Sequence, residues 1–322
     1  MKILVISPIE ATALDRLRAT HDVVCSYGAS DGELGELSRD REAIIFRSGV
    51  SVSAAVLEHA PQLRLLIRAG SGLDNLDLDY VERRGIDLIR IPGPSAQAVA
   101  EMTFGLMLAL ARNIPLGDRL LRQGHWAKSE LVGYNLSGKT LGVVGLGNIG
   151  TRVAQLGKAW GMQVLGCVGH PSADRREAFN AQGIRMAELD VVLGTADFVT
   201  LHVPLGATTR GLIDERALTK FKPGAFLVNV ARGGVVDERA LLRALTDGTL
   251  RGAALDVHES EGEGMTSLLA ELPNVVLTPH IGASTIDAQR EIGVEIIGII
   301  ERFLPPRDLA DHRPSTQEAA TR

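Results

Sequence analysis

The sequence predicts an α/β protein made of two doubly wound parallel-sheet units. Three observations carry that prediction. Short apolar, β-branched runs alternate with amphipathic stretches along most of the 322 residues. The runs are continuously hydrophobic, the habit of strands buried on both faces beneath helices. Glycine is abundant at 35 residues, above the usual ~7%. Because glycine is disfavoured inside elements, the excess implies tight strand-to-helix turns or close backbone approach to a ligand.

In the first unit the expected strands are residues 3–6, 23–25, 43–46, 63–67 and 86–89, with helices at 10–19, 53–59 and 78–84. Then the rhythm changes. Residues 98–124 form one long helical pattern, open to a break near Asn113-Ile114-Pro115. Its Met102, Leu106, Met107, Leu110 stripe reads as a core or partner-facing side. The second alternating series has strands at 141–144, 163–167, 198–201, 225–230, 253–257 and 275–277. Helices at 151–160, 237–246 and beyond 283 accompany it. Residues 305–322 are poor in apolar side chains and read as a mobile tail.

Composition excludes several function classes. Apolar residues make up 45% and charged residues 23%, an ordinary globular balance. The net charge of −5 leaves no basic excess for phosphate-backbone binding, so no nucleic-acid partner is expected. Two cysteines, Cys25 and Cys167, supply neither a disulfide framework nor a thiolate metal cage. No metal site is expected. The apolar N-terminal run is too short for a signal peptide. The longest apolar stretch, 104–111, falls far short of the ~20 residues that cross a bilayer, so the expected location is the cytoplasm.

Gly145-Leu146-Gly147-Asn148-Ile149-Gly150 directly follows an expected strand and opens an expected helix. At such a junction the glycines permit a tight turn and let a pyrophosphate reach the helix N–H groups. A dinucleotide site of this kind has an acidic residue about 20 positions further on, to bind the ribose hydroxyl. Here the second strand runs into Val168-Gly169-His170-Pro171 instead, with Asp174, Arg175 and Arg176 beyond. His170 and Arg175 suit a ribose phosphate, so both NAD and NADP stay open.

Reactive residues cluster just past expected strand ends: His202, Arg232, Glu259, Glu261 and His280. Ligands of open parallel sheets bind beyond the carboxyl ends of the strands. An arginine, a carboxylate and a histidine there suit a substrate with a carboxylate and a carbonyl or hydroxyl carbon. Position alone does not separate His202 from His280, nor Glu259 from Glu261.

Four runs carry a resemblance: Gly145 to Gly150, Asn229 to Glu238, Gly252 to Val257 and Thr278 to Thr285. In that order they resemble the D-isomer-specific 2-hydroxyacid dehydrogenases, over about residues 2–304. Arg47-Ser48, Arg68 to Asn75, Leu136 to Gly142 and His202 to Leu205 are similar to the branch that uses phosphoglycerate. The resemblance implies a Rossmann cofactor domain, 98–285, inserted into a flavodoxin-like substrate domain of 1–97 plus 286–322. Residues 98–138 then form the helix and arm of a homodimer. The long forms of that branch carry a C-terminal regulatory domain, for which this sequence leaves no room, so feedback through such a module is not expected.

The implied reaction passes a hydride between nicotinamide and C2 of a D-2-hydroxy or 2-keto acid. His280 matches the general acid/base, Glu261 its paired carboxylate, and Arg232 the grip on the substrate carboxylate. Ser71 and Gly72 match the second carboxylate anchor, Arg47 the contact to the far end of the substrate, and Ser48 and Asn75 further substrate-binding positions. The cofactor side takes Ser71, the Gly145–Gly150 turn including Asn148 and Ile149, His170, Arg175, His202, Val203, Pro204, Val230, Ala231, Arg232, Asp256, His280, Gly282 and Ala283. Asp256 matches the residue that bonds the carboxamide.

Two departures matter. Gly262 follows Glu261 where the family has proline, which leaves Glu259 as a competitor in a looser loop. Pro92 to Gln97 lacks the asparagines of the phosphoglycerate branch, which bears on substrate choice. A reductase of glyoxylate or hydroxypyruvate that prefers NADPH is therefore a second expectation. A non-catalytic dinucleotide-sensing protein is a third, opposed by the intact Arg232, Glu261, His280 set.

Overall fold

Lys2–Val5 (β1), Asp22–Cys25 (β2), Ala43–Phe46 (β3), Leu65–Arg68 (β4) and Asp87–Arg90 (β5) form an all-parallel sheet in the order β2-β1-β3-β4-β5. The crossovers are Ala11–Thr20 (α1), Asp31–Ser38 (α2), Ala54–Glu58 (α3) and Leu78–Arg84 (α4). The computed structural model describes residues 1–303 apart from Ser48 and Asn75. The expected tail at 305–322 lies outside the described residues.

The strand period of two divides this sheet's side chains between two cores. Ile3, Val5, Ala43 and Ile45 face one side, and Leu4, Ile44, Phe46 and Leu66 the other. Both sides are dry, which explains why the strands read as unbroken apolar runs.

Gly93–Ala111 (α5) leads out of this lobe, and Ile114–Arg122 (α6) follows after a 59° bend. The break sits at Asn113, which takes a left-handed φ of 52° with Pro115 just inside the next helix. The helix starts at Gly93 rather than residue 98, because Pro94 is tolerated in a first turn whose N–H groups have no partner in any case.

The second sheet is built from Thr140–Val144 (β6), Asn148–Ala159 (α7), Gln163–Cys167 (β7), Ala173–Ala181 (α8), Ile184–Met186 (β8), Leu189–Thr195 (α9) and Phe198–Leu201 (β9). Glu215–Leu218 (α10), Ala225–Asn229 (β10), Glu238–Thr246 (α11), Leu250–Leu255 (β11) and Val275–Leu277 (β12) complete it. The order is β12-β11-β10-β9-β6-β7-β8, all parallel, with the chain reversing its direction of travel between β6 and β9. Such a switch point opens a crevice at the carboxyl ends. Ile286–Phe303 (α12) returns to the first lobe, packing on α1 and α5 and adding Ile292, Ile296 and Ile300 to the core beneath β1 and β3. No single helix among the described residues is long and apolar enough to cross a membrane.

Candidate active site

Arg47, the 69–74 loop, Gly145, His202, Arg232, Asp256 and His280 all follow strand carboxyl ends, so the two sheets present their reactive edges to one cleft. Arg232 spans it. Its Nε donates to Asp74 Oδ2 of the first lobe at 2.6 Å, and Nη1 donates to the Ala231 carbonyl at 2.6 Å. The guanidinium lies so close to Gly72 that any Cβ there would overlap Nη2. Asn229, almost wholly buried, braces the turn: its Nδ2 donates to the Arg232 carbonyl and its Oδ1 accepts the Ala231 N–H.

Arg68 lies beneath the Ser71-Gly72 loop with only 4% of its surface exposed. Its Nε donates to the Gly72 carbonyl at 2.8 Å and Nη1 to the Ala69 carbonyl at 3.2 Å. Those bonds hold the loop from beneath, with Gly72 lying against Arg232. Burial, with the positive charges of Arg232 and Arg47 behind it, pushes the Arg68 guanidinium down to about 10. Burial also lowers Arg47, whose backbone N–H donates to Ser7 Oγ. Arg47, Arg68 and Arg232 thus gather positive charge at this edge, with Asp74 as the carboxylate that acts on Arg68.

On the second lobe, His280 Nδ1 meets Glu261 Oε2 at 2.8 Å. Burial pushes the Glu261 carboxyl up, but hydrogen bonds from His280 and the His258 N–H outweigh it and leave the group below the usual carboxylate range. His280 has a left-handed φ of 53°, an uncommon conformation for a residue with a Cβ. Asp256 holds it there. One Asp256 oxygen accepts from Thr278 Oγ1 (2.6 Å) and the Ile281 N–H (2.9 Å), and the other accepts the Gly282 N–H (2.8 Å). Those three bonds leave Asp256 about one lone-pair site for a further donor.

The glycine turn is shaped by close packing. Gly145 has φ 94°, and a Cβ on it would lie 2.5 Å from the His202 carbonyl oxygen. A Cβ on Gly150 would overlap the Gly145 carbonyl oxygen, whereas one on Gly147 meets nothing within 4 Å. Gly147 caps α7 without a side-chain bond, so the N–H groups of the first turn face open space. Ser71, Gly72, Gly147, Asn148, Ile149, His202, Val203, Pro204, Val230, Ala231 and Arg232 line one cavity of about 410 Å³. Glu261 and His280 line a neighbouring one of about 670 Å³ that reaches Gly49. Gly282 is buried against Asp256 and Ala283 packs into the core beside it.

Two ambiguities end here. Burial pushes the His202 imidazole down to about 3, and its Nε2 pairs with Thr200 Oγ1 while Nδ1 is buried without a partner. It is neutral across the working range and no proton relay. Glu259 points away from His280, its Oε1 accepting the Glu238 N–H. His170 is exposed, and Arg175 reaches back from α8 to donate to the Leu146 carbonyl at 2.7 Å. Ser48 and Asn75 lie outside the described residues. The structure adds Arg68, Asp74, Asn229 and the cleft-lining Arg90 to the expected set. The first three sat inside runs already singled out, and only their partners were hidden. Among the described residues no group of side chains could hold a metal ion.

Residues 104–282 match the family model for the D-isomer specific 2-hydroxyacid dehydrogenase NAD binding domain. The chain is 40% identical over 305 residues to D-3-phosphoglycerate dehydrogenase of Methanocaldococcus jannaschii, covering 94% of this chain and 57% of that protein. It spans about half the length of the phosphoglycerate dehydrogenases it matches. It is 39% identical over 290 residues to hydroxypyruvate reductase of Thermotoga maritima, covering 89% of this chain and 92% of the relative. Among solved structures, D-lactate dehydrogenase from Aquifex aeolicus complexed with NAD and lactic acid is similar at a TM-score of 0.82 and 30% identity, covering 94% of this chain and 95% of that one.

Proposed function

The chain belongs to the D-isomer specific 2-hydroxyacid dehydrogenase family, and from that premise we propose that it interconverts a D-2-hydroxy acid and its 2-keto acid with NAD or NADP, a phosphoglycerate-type acid first. The observation that carries this reading is the Glu261-backed His280 set beside the cleft that Arg232 spans. A dinucleotide fits the residues present: open space over Gly147, uncapped N–H groups at the start of α7, and a turn that only Gly145 and Gly150 can make. When bound, its nicotinamide gives or takes the hydride at C2.

The protein's own residues do the rest. With Nε held by Asp74, Arg232 offers its Nη edge to the substrate carboxylate, and a planar fork suits that group. The same positive edge stabilises charge developing on the C2 oxygen. The N–H groups of Ser71 and Gly72 supply the second anchor. His280, with Nδ1 committed to Glu261, uses Nε2 to move the proton on that oxygen, since its two ring nitrogens serve separate partners. Arg47 meets the far end of the substrate. Gly145, Gly147, Asn148, Ile149 and Gly150 hold the pyrophosphate, and His202, Val203, Pro204, Val230 and Ala231 form the wall beside it. Asp256, Gly282 and Ala283 border the nicotinamide. Residues 1–97 with those from 286 onward form the substrate domain, and 98–285 the cofactor domain.

A second reading, an NADPH-preferring hydroxypyruvate or glyoxylate reductase, is favoured by Arg175. Its guanidinium is drawn to the glycine turn, and no carboxylate follows β7 before Asp174. Turnover of phosphohydroxypyruvate, hydroxypyruvate and glyoxylate with NADH and NADPH tests both readings. A preference for phosphohydroxypyruvate supports the first and hydroxypyruvate with NADPH the second. Dinucleotide binding without turnover of any keto acid defeats both and leaves a binding protein.

We also assign a homodimer. No residue of α6 is buried; Ile114 and Leu121 on it, and Trp126 and Val132 on the segment leading from it, are more than half exposed. A second copy covering that arm is the simplest occupant of so apolar a surface. Sedimentation equilibrium at the monomer mass contradicts the assignment. Both cysteines are free, in keeping with a reducing cytoplasmic setting.

A further inference from the structure

Two carboxylates are buried among the described residues, Asp256 and Glu238, and the reaction above uses only the first. Glu238 is the first residue of α11 and 5% exposed. Its Oε1 accepts the Glu259 N–H at 2.8 Å, while its own N–H donates to Glu259 Oε1 at 3.2 Å. The helix does not need Glu238 as a cap, since Asp237 already accepts the Ala240 N–H. A buried carboxylate is costly unless its hydrogen bonds are made, so its presence in a dry place calls for a reason.

The reason lies in what it joins. Glu238 ends the run that begins at Asn229 and carries Arg232; Glu259 lies two residues before Glu261. A third contact fastens the same two segments: a Cβ on Gly233 would overlap the His258 carbonyl oxygen, so the backbones touch there. The His258 N–H in turn holds Glu261 at 3.1 Å.

We propose that Glu238 is a positioning residue for the acid–base pair, its carboxylate tying the 258–261 loop to the Arg232 turn so that Glu261 and His280 keep a fixed place relative to the guanidinium. The inference rests on the functional reading given above. It concerns geometry at the reacting carbon and not affinity for either ligand.

The test compares Glu238→Ala, Glu238→Gln and Glu238→Asp in the full chain, assayed after the wild type on its best keto acid. A displacement of about 1 Å at such a site costs on the order of 100-fold in rate. Glu238→Ala is therefore expected to lose at least about tenfold in kcat, with both KM values within about threefold. Glu238→Gln keeps an acceptor oxygen for the Glu259 N–H and is expected within about threefold of wild-type kcat. Glu238→Asp, one methylene short, is expected to behave like alanine, and it decides the matter if the alanine variant does not fold. Wild-type kcat in the alanine or aspartate variant overturns the proposal. So does parallel loss of kcat and dinucleotide affinity, or a glutamine variant no better than alanine. A wild-type protein that reduces no keto acid removes the functional reading itself; an active wild type with indifferent variants removes this inference alone.

Discussion

His280 and His202 are chemically alike and are set apart entirely by surroundings. Both follow a strand of the second sheet, and position alone does not rank them; only the resemblance of Thr278 to Thr285 singles out His280. One is paired to a carboxylate at the rim of an open cavity, and the other lies in the wall beside the glycine turn with its ring Nδ1 buried and unpartnered. His280→Ala is expected to abolish turnover while dinucleotide affinity, read by fluorescence titration, stays within about threefold. Equal loss of both contradicts its assignment as acid/base. His202 makes a different prediction. Its pKa lies near 3, below the ordinary 6.5, so the folded state refuses a proton that the unfolded chain accepts. The stabilising contribution is complete above pH 6.5 and is lost as pH falls toward 3, at about 1.4 kcal/mol per unit. Thermal melts of His202→Gln from pH 7 to pH 4 are expected to fall less steeply than those of the wild type. Parallel curves contradict the sealed, neutral imidazole.

Elements differ in how openly the sequence announces them. The buried strands were legible because dryness on both faces forces unbroken apolar runs, as in Ala43–Phe46. Several short elements, α2, α8, β8, α9 and α10, were not. The edge strand β8 is Ile-Arg-Met, too brief to show a period, and α2 carries two glycines that mask its helical stripe. The capping box of Ser30 and Glu33 was the available signal for α2. The turn between β6 and α7 was visible as a motif, but the unequal duties of its glycines were not. Gly150→Ala must displace the Gly145 carbonyl, so a lowered Tm is expected, by several degrees. Gly147→Ala faces open space, so Tm is expected to stay close to that of the wild type while the dinucleotide KM rises at least about tenfold. A Gly147 variant that binds dinucleotide normally contradicts the pyrophosphate assignment.

The whole molecule brings together residues that the sequence keeps far apart. Asp74 and Arg232 are 158 positions from one another, yet they form the ion pair across the cleft. No periodicity or local motif foretells such a partner, which is why Arg68, Asp74 and Glu238 were seen only as letters inside longer runs. The runs themselves did name Arg232, Glu261 and His280, because loops at strand ends carry the chemistry while their supports come from elsewhere in the fold. Two lobes, each presenting its carboxyl edge, leave room between them for a cofactor and an acid. Whether a hydride crosses that space is read by reducing hydroxypyruvate with dinucleotide deuterated at nicotinamide C4 and analysing the product. The account predicts the D-2-hydroxy acid with deuterium at C2. An L-configured product, or one without label at that carbon from either face of the nicotinamide, contradicts it.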